Sequence, residues 1–431
     1  MDRLYFGVAQ EIITPAIGGN LYGYAPNVYS TCVNDDLTIT AYYFKQGEIQ
    51  ALMLGATVCA TGNEYSKELL SLIEEKYGIP AANIQLSSTH THSGPNLSGG
   101  AGWGDRDVKY CDEVFTPAVL KVTAAAMKSP VAVTMGYATG ESKAAINRRQ
   151  LSDNNAIILG QNPYGPIDLK MTVISFRNEA GETVGNLIHY GCHGTCSGRN
   201  TEITRDWSGV MVDAIAKRTK ALTAFFNGPE GDIGPRLSNG KTTANLSYIY
   251  EVGTIAAADA MRIYNSIKEY KTPKLAVFGG NVEIPLNGRM PMEEAKAMYE
   301  RYKDHVENSG LMLKNRAEEV MDAWNNGVPE ETVYSMPQTI IRLGDCVFAS
   351  SVFELFTEIG IRVREFFDKN EVMCLANTNG SEAYLATKSA IPLGGYEITL
   401  HKYRRIQGYR DDADFEFIKG TVANVNKVLE D

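Results

Sequence analysis

Residues Gln85 to Pro95 read QLSSTHTHSGP, a run that closes on two histidines, His90 and His92, spaced i and i+2. On a strand such residues share one face, and two imidazoles about 7 Å apart along that face can approach a common metal ion. Two hydrogen-bonded surface histidines would leave the same pattern. The distribution of histidines favours the metal: the chain has six, at 90, 92, 189, 193, 305 and 401, and four of them fall in two tight clusters. The second cluster, HYGCHGTC from His189 to Cys196, also follows an apolar strand-like run.

Working outward from this stretch gives the fold class. Just upstream, residues 63–77 carry Tyr65, Leu69, Leu70, Leu72 and Ile73 on one helical face, with Gly78 and Pro80 as a stop. The exit leads into a strand at 84–87, so the histidine pair stands at a strand's end, where open α/β sheets place their sites. Further strands are expected at 4–9, in a hairpin of 37–44 and 49–57 across the KQGE turn, at 131–137 and 144–147, and in a hairpin of 171–176 and 183–190. Helices are expected at about 112–127, after Asp206 through Arg218, and at 247–266. A charged two-helix insertion covers about 292–326, broken at Asn308-Ser309-Gly310. Alternating strand and helix patterns predict a single large α/β domain over 1–431, a mixed sheet with flanking helices.

Composition sets the class of partner. With 44% apolar and 21% charged residues the chain is ordinary for a water-soluble enzyme, and no run of 18 apolar residues is present. A net charge of −10, from 41 basic and 51 acidic residues and without a basic block, argues against nucleic acid or an anionic membrane and for a small-molecule substrate. The first residues, MDRLYFGVAQEI, lack the n-region and h-region of a signal peptide, and seven irregularly spaced cysteines suit free thiols in a reducing compartment. The expected location is cytoplasmic.

Downstream, several loops carry candidate chemistry. INRRQ sets Arg148 beside Arg149; in a regular strand they point to opposite faces, so at most one reaches a cleft. A short buried strand at 222–226 ends in NGPEGDIGPR, where Asp232 either meets substrate or a ligand side chain or is a plain turn aspartate. The Gly344-Asp345 turn makes a hairpin of 339–343 and 347–351 that runs into an apolar-periodic helix over 353–367, putting Glu354 at a strand end and a helix N-terminus. There a carboxylate can serve a site or simply answer the helix dipole. The last informative piece, from Leu375, is a strand and polar loop leading to Tyr384. The tyrosine-studded YGYAPNVYS, residues 22–30, either packs over the core edge or forms a wall of a cleft.

Taken together, ITPAIGG, STHTHSGP, INR, CHGT, GDIGP, the GD hairpin into FELFTEIGIRVR, and the NT…YLAT loop resemble the neutral/alkaline, non-lysosomal ceramidases, in the family's order and over roughly residues 4 to 400. The resemblance implies a zinc-dependent amidase domain in which Zn2+ is held by His90, His193, Glu354 and Tyr384. Two imidazoles, a carboxylate and a phenolate suit that borderline ion. It further implies that His92 borders the metal-activated water and that Arg148 offers a fork to a developing oxyanion. The chain ends before the immunoglobulin-like domain of the family's larger members. It also departs from the pattern at Gly234, where ceramidases carry a serine, which implies an enlarged floor with room for a water or a small substrate group. Ser93 is the nearest substitute hydroxyl. The expectation is a zinc-dependent hydrolase that cleaves an amide or ester bond, lactones included, in a small polar substrate through a metal-activated water, with His92, Arg148 and Asp232 in catalysis and Ser93, Gly234 and Arg236 against substrate. A metal-dependent lyase, isomerase or sugar-directed enzyme, or a non-catalytic binding descendant, is the alternative on the same scaffold.

Overall fold

The computed structural model describes residues 2–430. Its centre is an eight-stranded mixed sheet in the spatial order Thr223–Asn227, Thr183–Tyr190, Lys170–Asn178, Val131–Glu141, Leu4–Ile12, Thr38–Gln46, Ile49–Ala56, Ile84–Ser88. Pairing is antiparallel throughout except at the two edges, where Ile84–Ser88 runs parallel to Ile49–Ala56 and Thr223–Asn227 runs parallel to Thr183–Tyr190. The mixed sheet with flanking helices is therefore as expected. A second sheet of four strands, Leu275–Pro285, Val333–Leu343, Cys346–Ser350 and Glu371–Leu375, was only partly legible and also ends in a parallel pair.

The two sheets pack face to face. Leu4, Phe6, Tyr42, Phe44, Met53 and Phe176 from the large sheet meet Leu275, Ile341, Phe348, Met373 and Leu375 from the small one. The alternation that aims Leu4 and Phe6 inward leaves Tyr5 exposed. At the middle of this layer Phe6 stacks on Phe176 with centroids 4.4 Å apart, a contact worth about 0.5–1.5 kcal/mol beyond its burial. Helices cover the outer faces. Asn63–Tyr77 and Thr116–Lys128 lie on one half of the large sheet, Asp206–Thr219 and Ser247–Asn265 on the other, and Ala413–Leu429 with Thr357–Arg364 on the small sheet. All seven cysteines are free thiols. No helix among the described residues is long and apolar enough to cross a membrane.

Three parallel pairs matter for function because both members of each pair end on the same side. Ala56 and Ser88, Tyr190 and Asn227, and Ser350 and Leu375 are the six ends. They deliver Cys59, His90, His193, Glu230, Glu354 and the segment from Asn377 to Tyr384 to one place. The two edges of the large sheet are tied there by one side chain: Nδ2 of Asn227 donates to the carbonyls of Thr89 and Cys192, each at 3.2 Å.

Several boundaries differ from the sequence expectation. The apolar period of FELFTEIGIRVR continues through Glu354, yet the helix begins only at Thr357. Glu354 and Leu355 pair instead as a short parallel strand with Tyr384 and Leu385, and tertiary hydrogen bonds override the helical pattern. The insertion forms Met292–Tyr302 and Asn308–Asn325, so its break lies at 303–307, ahead of the Asn-Ser-Gly triplet. It is part of the core as well as of the surface: Met312 and Leu313 are buried with Trp103 of the glycine-rich loop, and the Asn308 N–H donates to the Gly102 carbonyl at 2.8 Å.

Candidate metal centre

The two histidine motifs are clamped together by backbone. The His92 N–H donates to the Gly194 carbonyl at 3.1 Å and the Gly194 N–H to the His90 carbonyl at 3.2 Å. A Cβ at residue 194 would lie 2.8 Å from the His90 oxygen, so only glycine lets HTH and HGT approach this closely. His90 itself sits at φ 66°, a left-handed conformation unusual for a non-glycine residue and worth holding only where a side chain must be aimed.

The tautomers follow from what faces each ring. A carbonyl oxygen can only accept, so Nδ1 of His90, 2.9 Å from the Cys59 carbonyl, carries a proton. Nδ1 of His193 is likewise the donor to the carbonyls of Glu230 at 2.8 Å and Ile233 at 3.0 Å. Both Nε2 lone pairs are thereby turned toward Glu354, whose Oε2 stands 3.4 Å from His90 Nε2 and 3.1 Å from His193 Nε2. Among the described residues neither His193 Nε2 nor Glu354 Oε2 has a hydrogen-bond partner, although both are buried. Orphaned buried polar atoms are rare. These two bare atoms, converging with His90 Nε2 on one point, are what a bound cation would satisfy, with backbone carbonyls fixing the ring orientations from behind. Burial, with Arg148 and His90 nearby, holds His193 down to a pKa of about 3, so its imidazole is neutral at any physiological pH. Burial opposes ionisation of Glu354, but the two histidines outweigh it and hold this carboxyl well below the ordinary range.

Tyr384 stands next to Glu354 in register on the neighbouring strand. Its hydroxyl accepts from Nη2 of Arg148 at 3.0 Å, and burial raises its pKa well above 10. His92 faces the same point, with its Nε2 3.3 Å from His90 Nε2. Burial and the two neighbouring imidazoles push it well below 6.5, so it is a free base at neutral pH.

Arg148 and Arg149 do not divide between two faces as a regular strand would require. The register of Ala145–Leu151 against Ile157–Asn162 shifts between Asn147 and Arg149, and such a bulge turns successive side chains to one side. Both guanidinium groups are buried on the two oxygens of Glu397, Arg148 Nε to Oε1 at 2.9 Å and Arg149 Nη1 to Oε2 at 2.7 Å. Two of the five N–H donors of Arg148 are spent on Glu397 and Tyr384, which leaves three unspent.

The remaining candidates separate. Asp232 is buried, pushed up to about 7 by that burial, and its oxygens accept from the Thr357 N–H at 2.8 Å and from Asn147 Nδ2 at 3.1 Å. It starts the helix Thr357–Arg364 and so positions Glu354 and Arg148. Ser93 is fully buried and its hydroxyl is engaged by Ser197 and by Asn200, both at 3.0 Å. Arg236 is exposed, with Nε on the Ala145 carbonyl. The floor at Gly234 is not enlarged: Cβ and Cγ2 of Thr242 would each lie 2.8 Å from a Cβ at 234. Thr242 occupies the volume that a side chain at 234 would need. His189 is a strut, with Nε2 on the Cys374 carbonyl at 3.1 Å.

The sequence reading missed four groups. Glu397 is the shared counter-charge of the arginines. Glu230, pushed up to about 8 by burial and by Glu354 against the pull of His90, accepts from Asn377 through Oε1 and leaves Oε2 without a partner among the described residues. Asn377 is that partner, and Cys59 forms a second possible metal-holding group with His90 and His92. Glu230, Cys59 and Asn377 carried a signal, in each case their place just past a strand of a parallel pair that ends at the site. The pocket walls are more aromatic than the polar loops suggested, with Tyr22, Trp103, Tyr384 and Tyr396 around the metal-facing atoms.

No protein-family model matches the sequence, and no curated protein does. Solved structures do. The neutral ceramidase from Pseudomonas aeruginosa superposes with a TM-score of 0.75 at 17% identity, over 99% of this chain and 75% of that one. A ceramidase complexed with C2 superposes with a TM-score of 0.76 at 16% identity, over 100% of this chain and 76% of that one. At such identities the likeness speaks for architecture: this chain has the ceramidase fold along essentially its whole length.

Proposed function

We propose that this protein is a zinc-dependent hydrolase that cleaves an amide or ester bond, lactones included, in a small substrate. One observation carries the reading: the buried, unpartnered Nε2 of His193 and Oε2 of Glu354 converge with the Nε2 of His90 beside the Arg148 fork. Their N and O donors, with the Tyr384 oxygen as the fourth, suit Zn2+. The ceramidase fold agrees, since the enzymes that share it are named for cleaving an amide.

When bound, the metal supplies Lewis acidity to the scissile carbonyl and to the attacking water. The chain supplies the rest. Nε2 of neutral His92 takes the proton that the water gives up as its oxygen bonds to the carbonyl carbon. The same atom returns that proton to the leaving nitrogen or oxygen as the C–N or C–O bond breaks. The unspent N–H groups of Arg148 receive the negative charge that develops on the carbonyl oxygen, and the burial of that charge strengthens the interaction. Glu397 holds Arg148 in place, and Asp232 fixes the segments that carry Arg148 and Glu354. Gly234 has no side chain and the Ser93 hydroxyl is engaged elsewhere, so neither supplies a nucleophile and no acyl-enzyme forms at either position.

The test is hydrolysis of a panel of N-acyl amines, esters and lactones by zinc-loaded and chelator-treated protein. Turnover of at least one class that depends on zinc and falls in His92→Ala is expected. Equal turnover after metal removal, or none of any class by the loaded protein, overturns the proposal.

A further inference from the structure

The metal-facing pocket is narrow, with a volume of about 50 Å3, room for a few water-sized groups. It admits the reacting carbonyl and little else. Arg404 lines this pocket and also a neighbouring cleft of about 570 Å3 between the glycine-rich loop, the helix Asn308–Asn325 and the 404–407 segment. A substrate whose scissile group reaches the metal ligands therefore extends past Arg404.

Of the four arginines around that cleft, two are in ion pairs, Arg289 is held by carbonyls without a carboxylate and leaves its buried Nε without a partner among the described residues, and the fourth is Arg404. Arg316 pairs with Glu319 and donates to the carbonyls of Tyr403 and Arg404. Arg405 pairs with Glu382 at 3.1 Å and Glu331 at 4.0 Å. Arg289 donates to the carbonyls of Val328 and Pro329 and lies over the Trp324 ring. The guanidinium of Arg404, half-buried, has no hydrogen bond or ion pair among the described residues. A cation at the end of the helix Tyr396–Tyr403 also answers the helix dipole, but Arg404 makes no side-chain bond to the last carbonyls. It stands near Tyr22: its Nη1 and the Tyr22 hydroxyl both flank Gly100, 3.5 and 3.6 Å from where a Cβ there would lie, and the hydroxyl donates to the Gly99 carbonyl at 3.4 Å, which leaves the fork as the free donor beside the pocket.

We infer that the substrate carries a carboxylate within a few bonds of the scissile carbonyl, and that Arg404 is the specificity-determining residue that receives it. This rests on the hydrolase reading above and names its substrate class: an acylated or lactonised organic acid. One free guanidinium matches a singly charged, planar oxyanion, which it can bind through two parallel N–H donors. The second charge of a phosphate monoester would have no partner there.

The test is calorimetric binding to zinc-loaded protein of N-acetylglycine, N-acetylleucine and N-acetylphenylalanine, each against its neutral carboxamide, with acetyl phosphate as the dianionic arm. At least one acid is expected to bind about tenfold or more tightly than its amide, and more tightly than acetyl phosphate. Arg404→Met, which keeps the apolar stem, is expected to erase that preference with an unchanged melting curve, and Arg404→Lys to retain part of it. Equal binding of acids and amides, no saturable binding of any acid, tighter binding of acetyl phosphate, or a preference that survives Arg404→Met overturns the inference. Because the readout is binding, an acid preference without any turnover counts against the hydrolase reading alone. Turnover of neutral esters or amides without an acid preference counts against the anion site alone.

Discussion

A side chain at position 234 should destabilise the protein through one identifiable contact. A Cβ there would lie 2.8 Å from both Cβ and Cγ2 of Thr242 and 3.5 Å from Cβ of Arg148. Carbon atoms settle about 3.5–4.0 Å apart, so Thr242 would have to retreat by roughly an ångström. Gly234 cannot retreat, because it is paired in register with Ile146 and has Arg148 beside it. Thr242 is itself buried, with its carbonyl held by the Thr195 hydroxyl at 3.0 Å. Overpacking of this kind costs about 1–3 kcal/mol, and Gly234→Ala should lower the urea midpoint accordingly at an unchanged m-value. Thr242→Ala removes one of the two opposing atoms and lets the other relax. The double variant should therefore be more stable than the sum of the singles by about 1 kcal/mol, well outside the roughly 0.3–0.5 kcal/mol scatter of independent sites. A Gly234→Ala protein as stable as the parent, or strictly additive effects, would refute the packing argument and reopen the floor to a water or a substrate group. Gly234→Ser carries the same clash, so restoring a serine at this position should not create a useful nucleophile unless Thr242 is changed with it.

Other outcomes follow from the same geometry. His193→Ala should abolish stoichiometric zinc, whereas His92→Ala should retain it in elemental analysis and lose roughly 10²-fold or more in kcat; equal loss of zinc in the two variants would mean the pair is misassigned. Glu397→Ala leaves two buried guanidinium groups without their carboxylate and should cost about 3–5 kcal/mol in urea denaturation, with a loss below 1 kcal/mol counting against the shared counter-charge. His189 and His401 are each lowered by burial to about 4. The unfolded chain therefore binds protons that the folded chain refuses as pH falls from about 6.5 to 4, and each group removes up to ~3 kcal/mol of stability across that window. Urea midpoints that stay flat from pH 6.5 to 4 would contradict this.

What was legible in the sequence is instructive about where local patterns suffice. The two histidine clusters, Glu354 and Tyr384 sit at the ends of strands whose apolar runs are plain, and the structure brings all four chain segments to one point. Glu354 was nevertheless put on a helix, because apolar periodicity cannot register the pairing of Glu354 with Tyr384 thirty residues away. The two arginines were sent to opposite faces because a bulge after Asn147 is invisible in INRRQ. Gly234 looked like a vacancy because absence of a side chain says nothing about the neighbour, here Thr242, that fills the space. Glu397 and Arg404 gave no signal at all. Their meaning comes only from what stands next to them, two buried cations in one case and no acceptor in the other.

The central claim is that one zinc ion is held by His90, His193, Glu354 and Tyr384 rather than by the alternative group of Cys59, His90 and His92. X-ray absorption at the zinc edge of protein loaded with one equivalent of zinc separates the two, because a thiolate ligand lies at about 2.3 Å and imidazole or oxygen ligands at about 2.0–2.2 Å. The account predicts a shell of nitrogen and oxygen alone that includes two imidazoles, unchanged in Cys59→Ala. A sulfur scatterer at about 2.3 Å, or failure to retain an equivalent of zinc through gel filtration, would contradict it.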